Sequence, residues 1–323
     1  MGKGIIVVAG PPGGGKSTAV KHYTTQGFTR LNRDDIGGSL KGDGALFRHL
    51  RHLFKVYDER RFVLDNTHGT VESRAVVLAV GRELDLPVHV KWLETTSAQA
   101  QFFASRRQIQ RYGKLFTKED YRAHQDDPNM FPPAAQFAFF KRMVVPTIDE
   151  GFASVEMVPV MSDFGPEYMH RALIIDYDDT VRRTVSGAKW PRHPDDIEVI
   201  DGCGDVLWQK QSEGFRLLGA SNQSGVSRQT DDPKYVSPEN LVRCFERTHE
   251  LLGVDIDYLY APDRGGVPQT YWRKPCPGMG AVFIERYKLS PPDCIYVGDM
   301  KSDKTFAERC GFAFAWAHDF FGG

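Results

Sequence analysis

The sequence predicts two α/β domains in tandem, each built on a parallel sheet. Three observations carry that prediction. Short, mainly apolar runs recur along the 323 residues, at 5–8, 61–64, 88–93, 172–175, 215–220 and 294–297, the first of them wholly β-branched. Runs of that length read as buried strands. Helical stretches separate them, and strand–helix–strand alternation implies a parallel sheet with right-handed crossovers. Residues able to do chemistry fall just beyond the strand ends, where ligands of open α/β sheets sit. The length suits two domains at roughly 150 residues each. The Gly-Pro-bearing stretch MSDFGP at 161–166 places the boundary, giving domains 1–165 and 166–323.

Composition narrows the function classes. Hydrophobic residues at 41% and charged residues at 26% are those of an ordinary globular chain. No apolar run reaches the ~18 residues that would span a bilayer, so no membrane partner is expected. The chain enters its first strand too early to hold a secretory signal, and a cytoplasmic location is the expectation. Cys203, Cys244, Cys276, Cys294 and Cys310 are scattered and form no C-x-x-C, which reads as reduced thiols in the core. The net charge of −1 announces no nucleic-acid binder, although residues 1–165 carry 22 Lys and Arg against 18 Asp and Glu. That mildly basic half could attract a polyanion only weakly.

The first strand runs straight into GPPGGGKST, residues 10–18, which fits G-x-x-x-x-G-K-[ST] without a mismatch. Gly10, Gly13 and Gly15 let backbone N–H groups turn inward around a phosphate chain. A helix starting near Lys16 aims its positive dipole end at the same anion. Lys16 can reach the β and γ phosphates, Ser17 can ligate Mg²⁺, and Thr18 continues the anion-facing turn. The implied ligand is ATP or another NTP. The bland alternative is a glycine-rich turn with no nucleotide.

A second strand over 28–31 ends in Asn32-Arg33-Asp34-Asp35. Asp34 either takes the proton of an attacking hydroxyl or caps the next helix. A third strand ends at Asp65-Asn66-Thr67-His68, where Asp65 either supports Mg²⁺ and acceptor or closes a turn. After the fourth strand comes a polar helix over 99–111, with Arg107 and Arg111 four apart on one face. They either act on phosphoryl groups from a lid or form a solvated basic face. Phe137, Phe139 and Phe140 read as core rather than as base-stacking residues.

The second half restarts the pattern. The strand at 172–175 ends in Asp176-Tyr177-Asp178-Asp179-Thr180. Two carboxylates at i and i+2 suit metal-assisted phosphoryl transfer, one attacking phosphorus and the other handling the leaving-group proton. The strand at 215–220 ends in Ser221-Asn222-Gln223-Ser224-Gly225. Lys274 precedes Pro275 and a helix. The strand at 294–297 ends in Gly298-Asp299, with Asp303 four residues on. Each set lies on the carboxyl side of its strand, so all can converge.

Those four sets resemble the motifs of the haloacid dehalogenase superfamily. The resemblance implies Asp176 as nucleophile forming an aspartyl-phosphate and Asp178 as general acid and then base. It implies Thr180, Ser221 and Asn222 on substrate phosphate and Lys274 as the neutralising cation. Mg²⁺ would sit on Asp176 and Asp299, with Asp178 and Asp303 at hand. Two departures stand out: Asp179 replaces the usual glycine before Thr180, and residues 261–272 lack the Cys/His zinc loop of similar heptose-bisphosphate and histidinol-phosphate phosphatases. Covalent catalysis, a metal and a fixed cation are proportionate to a barrier whose enzymatic accelerations reach ~10²¹.

Taken together, the two halves resemble the polynucleotide kinase/3′-phosphatase family through GPPGGGKST, LNRDD, LDNTHGTVESR and the Arg107–Arg111 pair. The order, kinase then phosphatase, is that of the phage enzymes. The implied fold is a P-loop kinase sheet domain followed by a Rossmann-like haloacid dehalogenase phosphatase domain with little or no cap. Asp34 would activate a 5′-hydroxyl, Lys16 and Arg111 would stabilise the transferring phosphoryl, and Arg107 would lie on the lid. Gly37 stands where the phage kinases place an acceptor-binding arginine. DNA or RNA ends and a nucleic acid ligase are the implied partners. Two rivals are a small-molecule kinase fused to a sugar-phosphate phosphatase, and a non-enzymatic nucleotide-sensing scaffold.

Overall fold

The computed structural model describes residues 2–36, 44–162 and 164–322. Gly37 and Asp163 lie outside the described residues. The chain forms two compact units, residues 1–104 with 124–162, and residues 105–123 with 163–323. Residues 105–123, which the sequence reading puts in the first domain, pack within the second unit because Arg106 enters a buried ion pair there.

In the first unit the chain runs β1 (Gly4–Ala9), α1 (Lys16–Thr24), β2 (Thr29–Leu31), α2 (Arg33–Ile36), α3 (Ala45–Tyr57), β3 (Arg61–Asp65), α4 (Val71–Glu83) and β4 (Val88–Leu93). The chain continues through α5 (Ser97–Tyr112), whose second half belongs to the second unit, and α6 (Lys118–Ala123), which lies wholly in the second unit, before α7 (Pro133–Phe140) and β5 (Ser154–Val158) of the first. The five strands form a parallel sheet in the order β2-β3-β1-β4-β5. The central strand β1 is buried on both faces, and its alternation divides two cores. Ile5, Val7 and Ala9 pack with Leu46, Phe47 and Leu50 of α3 and Val77 of α4. Ile6 and Val8 pack with Val20 of α1 and Phe28. Each fully buried side chain of that size contributes roughly 1.5–3 kcal/mol. Thr70 and Ser73 form a reciprocal cap at the start of α4.

The aromatic helix α7 departs from expectation. Its buried positions are Pro133 and Gln136, while Phe137, Phe139 and Phe140 are half-buried. The short helix serves the phosphate loop, as described below, and Phe139 covers the backbone of Gly69.

The second unit comprises β6 (Ala172–Ile175), β7 (Arg182–Arg183), β8 (Glu198–Val199), α8 (Cys203–Ser212), β9 (Arg216–Asn222) and α9 (Pro238–Leu252). It closes with β10 (Asp257–Ala261), α10 (Gly278–Tyr287), β11 (Ile295–Gly298), α11 (Lys301–Cys310), β12 (Ala313–Trp316) and α12 (Ala317–Phe321). Its parallel sheet has the order β10-β9-β6-β11-β12. The strands β10 and β12 at its two edges escape sequence pattern because both mix aromatic and small residues and lack a β-branched run. β7 and β8 form a two-stranded antiparallel ribbon after the acidic turn. All five cysteines are buried and free. Among the described residues no helix is long and apolar enough to cross a membrane.

Within this unit, Arg106 Nε donates to Glu285 Oε1 at 2.6 Å, and Tyr168 donates its hydroxyl hydrogen to Glu285 Oε2 at 2.7 Å. Both partners of the ion pair are nearly buried, so breaking it would strand a charge in a poorly solvated place.

Candidate active sites

The loop after β1 fulfils the backbone demands of its glycines. Gly13 has φ 77° and Gly15 has φ 88°, in the left-handed region. A Cβ on Gly13 would lie 2.8 Å from Ala100 O and 3.0 Å from Gln136 Nε2. Gln136, absent from the sequence expectations, is fully buried and donates to Pro12 O at 3.0 Å and Ala100 O at 2.7 Å. Thr95 Oγ1 donates to Gly14 O at 2.9 Å, and Gly10 N donates to Thr67 O at 3.1 Å. The loop is thus held from β3, β4 and α7 while α1 starts at Lys16. Lys16 Nζ donates to Pro11 O at 2.8 Å and Gly10 O at 3.2 Å, over the loop itself. Ser17 and Thr18 are exposed on the first turn of α1.

The ends of β2 and β3 carry the other first-unit candidates. Asn32 Oδ1 accepts from the Asp34 amide at 2.7 Å and so caps the start of α2. The Asp34 carboxylate stays on the surface beside Arg33, whose Nη2 donates to it at 2.9 Å. Arg33 N donates to Asn66 Oδ1 at 3.1 Å, tying α2 to the end of β3. Asp65 is buried and accepts from Arg30 Nε at 3.0 Å and Nη2 at 2.8 Å. Burial opposes the Arg30 charge, but Asp65 and Asp35 outweigh it and raise the guanidinium above its ordinary value. Arg107 and Arg111 lie on the part of α5 that belongs to the second unit.

In the second unit, strand register brings the expected acids together. Ile175 pairs with Gly219 of β9 and Val297 of β11. The ends of three adjacent strands therefore present Asp176, Ser221 and Asp299. Lys274 Nζ lies 3.1 Å from Asp176 Oδ1 and 2.8 Å from Asp303 Oδ1, all three nearly buried. It also donates to the Tyr296 hydroxyl at 2.7 Å, a partner that sequence pattern could name only as the inward residue of β11. Burial alone would lower the Lys274 ammonium, and Asp176 and Asp303 reverse that and hold it above its ordinary value. Asn222 fixes this lysine through its backbone: Oδ1 accepts from Lys274 N at 2.9 Å and Nδ2 donates to Lys274 O at 3.1 Å. The sequence placed Asn222 on substrate phosphate; the structure shows it positioning the cation.

Asp178, offered by the sequence also as a metal ligand, is turned to other partners. Arg182 Nε donates to its Oδ1 at 2.8 Å and Gln223 Nε2 to its Oδ2 at 2.9 Å. Arg182 is fully buried, with its guanidinium 5.2 Å and 5.1 Å from the Tyr177 and Phe245 ring centres. Gln223 Nε2 also donates to Ser221 Oγ at 2.9 Å. Thr180 Oγ1 is buried and makes no hydrogen bond. Asp179 has φ 60°, which explains the glycine of similar sequences; Asp tolerates the left-handed region better than most residues, at a cost of about 1–2 kcal/mol.

Among the described residues, Asp176, Asp299 and Asp303 bring carboxylate oxygens within 4.8 Å of one another. One lysine leaves this cluster with excess negative charge. Burial pushes Asp176 up to about 7, with Asp303 and Asp178 adding to the shift and Lys274 opposing it. Asp299 is raised by burial and then by Asp303, and its Oδ1 is buried without a hydrogen-bond partner. A hard divalent cation with oxygen ligands fits this set.

The sign of the resulting pH dependence follows. Asp176 is protonated in the fold up to about pH 7 but ionised in the unfolded chain above its ordinary 3.8. Its contribution to stability is present at low pH and is lost as pH rises across that window. A cation that binds the ionised cluster restores it. The increase in Tm on adding Mg²⁺ to the full chain is expected to grow from pH ~5 to pH ~8. An increment that stays constant or shrinks over that range would contradict the assignment of the cluster to a metal.

Comparisons with known proteins match two separate parts of the chain. Residues 171–321 match the family described as polynucleotide kinase 3 phosphatase, and residues 5–125 match an AAA domain. The chain is similar to the bifunctional polynucleotide phosphatase/kinase of Schizosaccharomyces pombe, at 30% identity over 156 residues, covering 48% of this chain and 33% of that protein. It is also similar to a D-glycero-D-manno-heptose-1,7-bisphosphate 7-phosphatase of Thermoplasma volcanium, at 27% identity, covering 45% of this chain and 96% of that one. The chain thus spans about a third of the length of the first relative. A solved HAD-like phosphatase from Mesorhizobium loti is 25% identical with a TM-score of 0.39, covering 48% of this chain and 74% of that chain.

Proposed function

We propose, for a chain whose residues 171–321 match the polynucleotide kinase 3 phosphatase family and whose residues 5–125 match an AAA domain, that it heals nucleic acid ends by two chemistries. Residues 1–165 transfer the γ-phosphate of ATP to a 5′-hydroxyl end, and residues 166–323 remove a 3′-phosphate. The observation that carries this reading is the buried Asp176–Lys274–Asp303 cluster on the same chain as a complete phosphate loop. The domains are assigned as 1–165 for kinase and 166–323 for phosphatase.

In the phosphatase, an Asp176 carboxylate oxygen attacks phosphorus and the bond to the 3′-oxygen breaks. Asp178 gives that oxygen a proton, then takes one from the water that hydrolyses the aspartyl-phosphate. Lys274, fixed by Asn222, holds positive charge where negative charge gathers. Arg182 and Gln223 hold the Asp178 carboxylate from two sides and set its aim. Thr180 Oγ1 and Ser221 Oγ are the hydroxyls at hand for substrate phosphate. Mg²⁺ held by Asp176, Asp299 and Asp303 would supply charge neutralisation on the phosphoryl oxygens.

In the kinase, the loop amides and Lys16 cradle the triphosphate, and Ser17 would hold Mg²⁺, which would neutralise phosphate charge. Asp34 accepts the proton of the 5′-hydroxyl, and Arg107 and Arg111 steady the phosphoryl group from the lid. The products, a 5′-phosphate and a 3′-hydroxyl, are the pair a nucleic acid ligase joins, which makes such a ligase the natural consumer of both.

Similarity to heptose-bisphosphate phosphatases keeps a sugar-phosphate reading as the rival. Acceptor competition separates the two. With γ-labelled ATP and an equimolar mixture of 5′-hydroxyl oligonucleotide, free nucleoside and hexose, label is expected on the oligonucleotide. Label on nucleoside or hexose, with none on the oligonucleotide, would favour the rival.

A further inference from the structure

We propose that the cleft beside the Asp176 centre holds the terminal nucleosides of the strand whose phosphate that centre removes, with Trp272 as the surface on which a base stacks. This assignment rests on the phosphatase reading above and says where the rest of that substrate lies.

The hydrolytic pocket itself is small. Asp176, Asp178, Ser221, Lys274 and Asp299 line a space of about 270 Å³, room for a phosphate and part of a sugar. Next to it lies a cavity of about 1160 Å³. Arg273 and Lys274 line both, so the two spaces meet at the residues that flank the phosphate. The larger cavity exceeds the ~300–1,000 Å³ typical of small-molecule pockets. A sugar monophosphate would leave it mostly filled with water, whereas a strand end would use it.

The wall has the chemistry of single-strand recognition, aromatic faces combined with cations. Trp272 is half-buried in it. Tyr258 and Tyr260 also reach the wall, but their rings pack on Phe245 in the core, at centroid distances of 4.2 and 6.1 Å. Arg264 and Lys118 are exposed and can follow a phosphate backbone. Arg273 sits at the junction, half-buried, and burial pulls its guanidinium below its ordinary value. A poorly solvated cation there gains from a phosphate nearby.

Two acids also line the cleft, Asp263 and Glu119. Asp263 is tied to the wall: its Oδ2 accepts from Thr270 Oγ1 at 2.9 Å and its carbonyl accepts from Arg273 Nη1 at 3.0 Å. It orders the stretch that carries Trp272 and Arg273. Glu119 is exposed at the edge next to Lys118.

The test compares kcat/KM on a 3′-phosphorylated oligonucleotide with kcat/KM on p-nitrophenyl phosphate, which has no base to stack. Trp272→Ala is expected to lower the ratio of the two by about tenfold or more, the loss of one base–aromatic stack. Trp272→Phe keeps a ring and returns most of the ratio. Arg264→Ala is expected to flatten the salt dependence of the oligonucleotide reaction. A general structural defect would depress both substrates and leave the ratio where it was, and that result for Trp272→Ala, with an unaltered salt dependence for Arg264→Ala, overturns the assignment alone. Wild-type protein that hydrolyses p-nitrophenyl phosphate but no 3′-phosphorylated oligonucleotide overturns the phosphatase reading and the cleft with it.

Discussion

Asp176→Asn is expected to lower hydrolysis of 3′-phosphate ends by a factor on the order of 10⁴ or more, as removal of a covalent nucleophile does. The amide is nearly isosteric with the carboxylate, so packing among Lys274, Asp178 and Asp299 changes little. It has no anionic oxygen to attack phosphorus. Lys274 keeps Asp303 at 2.8 Å as its counter-ion, so the substitution leaves no unpaired buried charge. Phosphorylation of 5′ ends, assigned to residues other than Asp176, is expected to continue. The measurement is single-turnover release of phosphate from a 3′-phosphorylated oligonucleotide, together with circular dichroism to confirm the fold. Release within tenfold of wild type would remove Asp176 from the nucleophile's role.

Lys16→Ala is expected to lower 5′-end phosphorylation by about 10²–10⁴-fold, the scale for removing a fixed positive charge from a developing anionic transition state. Lys16 Nζ donates to two loop carbonyls, Gly10 O and Pro11 O. Those carbonyls can turn to water when it is gone. The loop's shape depends instead on Gln136, Thr95 and the glycine conformations. Tm should therefore move little while kcat collapses. A loss confined to KM for ATP would mean that Lys16 binds nucleotide equally in ground and transition states.

Much of this was legible from residue pattern. The buried strands β1, β3, β4, β6 and β11 are short, mainly apolar runs, and their ends announced Asp65, Asp176 and Asp299. The phosphate loop fixes its own conformation through Gly13 and Gly15. What pattern could not supply is tertiary. Arg182 looks like any surface arginine until Tyr177 and Phe245 close over it and Asp178 accepts from it. Gln136 sits in an aromatic helix whose sequence suggests core, yet it is the buried residue that braces the loop. Asn222 reads as a phosphate ligand because it follows Ser221; only the fold shows its amide bound to Lys274. Residues 105–123 read as part of the first domain because Arg106 gives no hint of Glu285, 179 positions away. Long-range pairs of this kind leave no periodic signal, since each partner is chosen by the fold.

The central claim is that one chain carries two separable end-healing activities. One substrate tests it most directly: an oligonucleotide with a 5′-hydroxyl and a 3′-phosphate, made as DNA and as RNA, followed at both ends by mass. Wild-type protein with ATP and Mg²⁺ is expected to give the 5′-phosphate, 3′-hydroxyl product. Asp176→Asn should give a strand phosphorylated at both ends, and Lys16→Ala a strand with hydroxyls at both. Both ends unchanged by wild-type protein, or both activities lost together in either variant, would contradict the account.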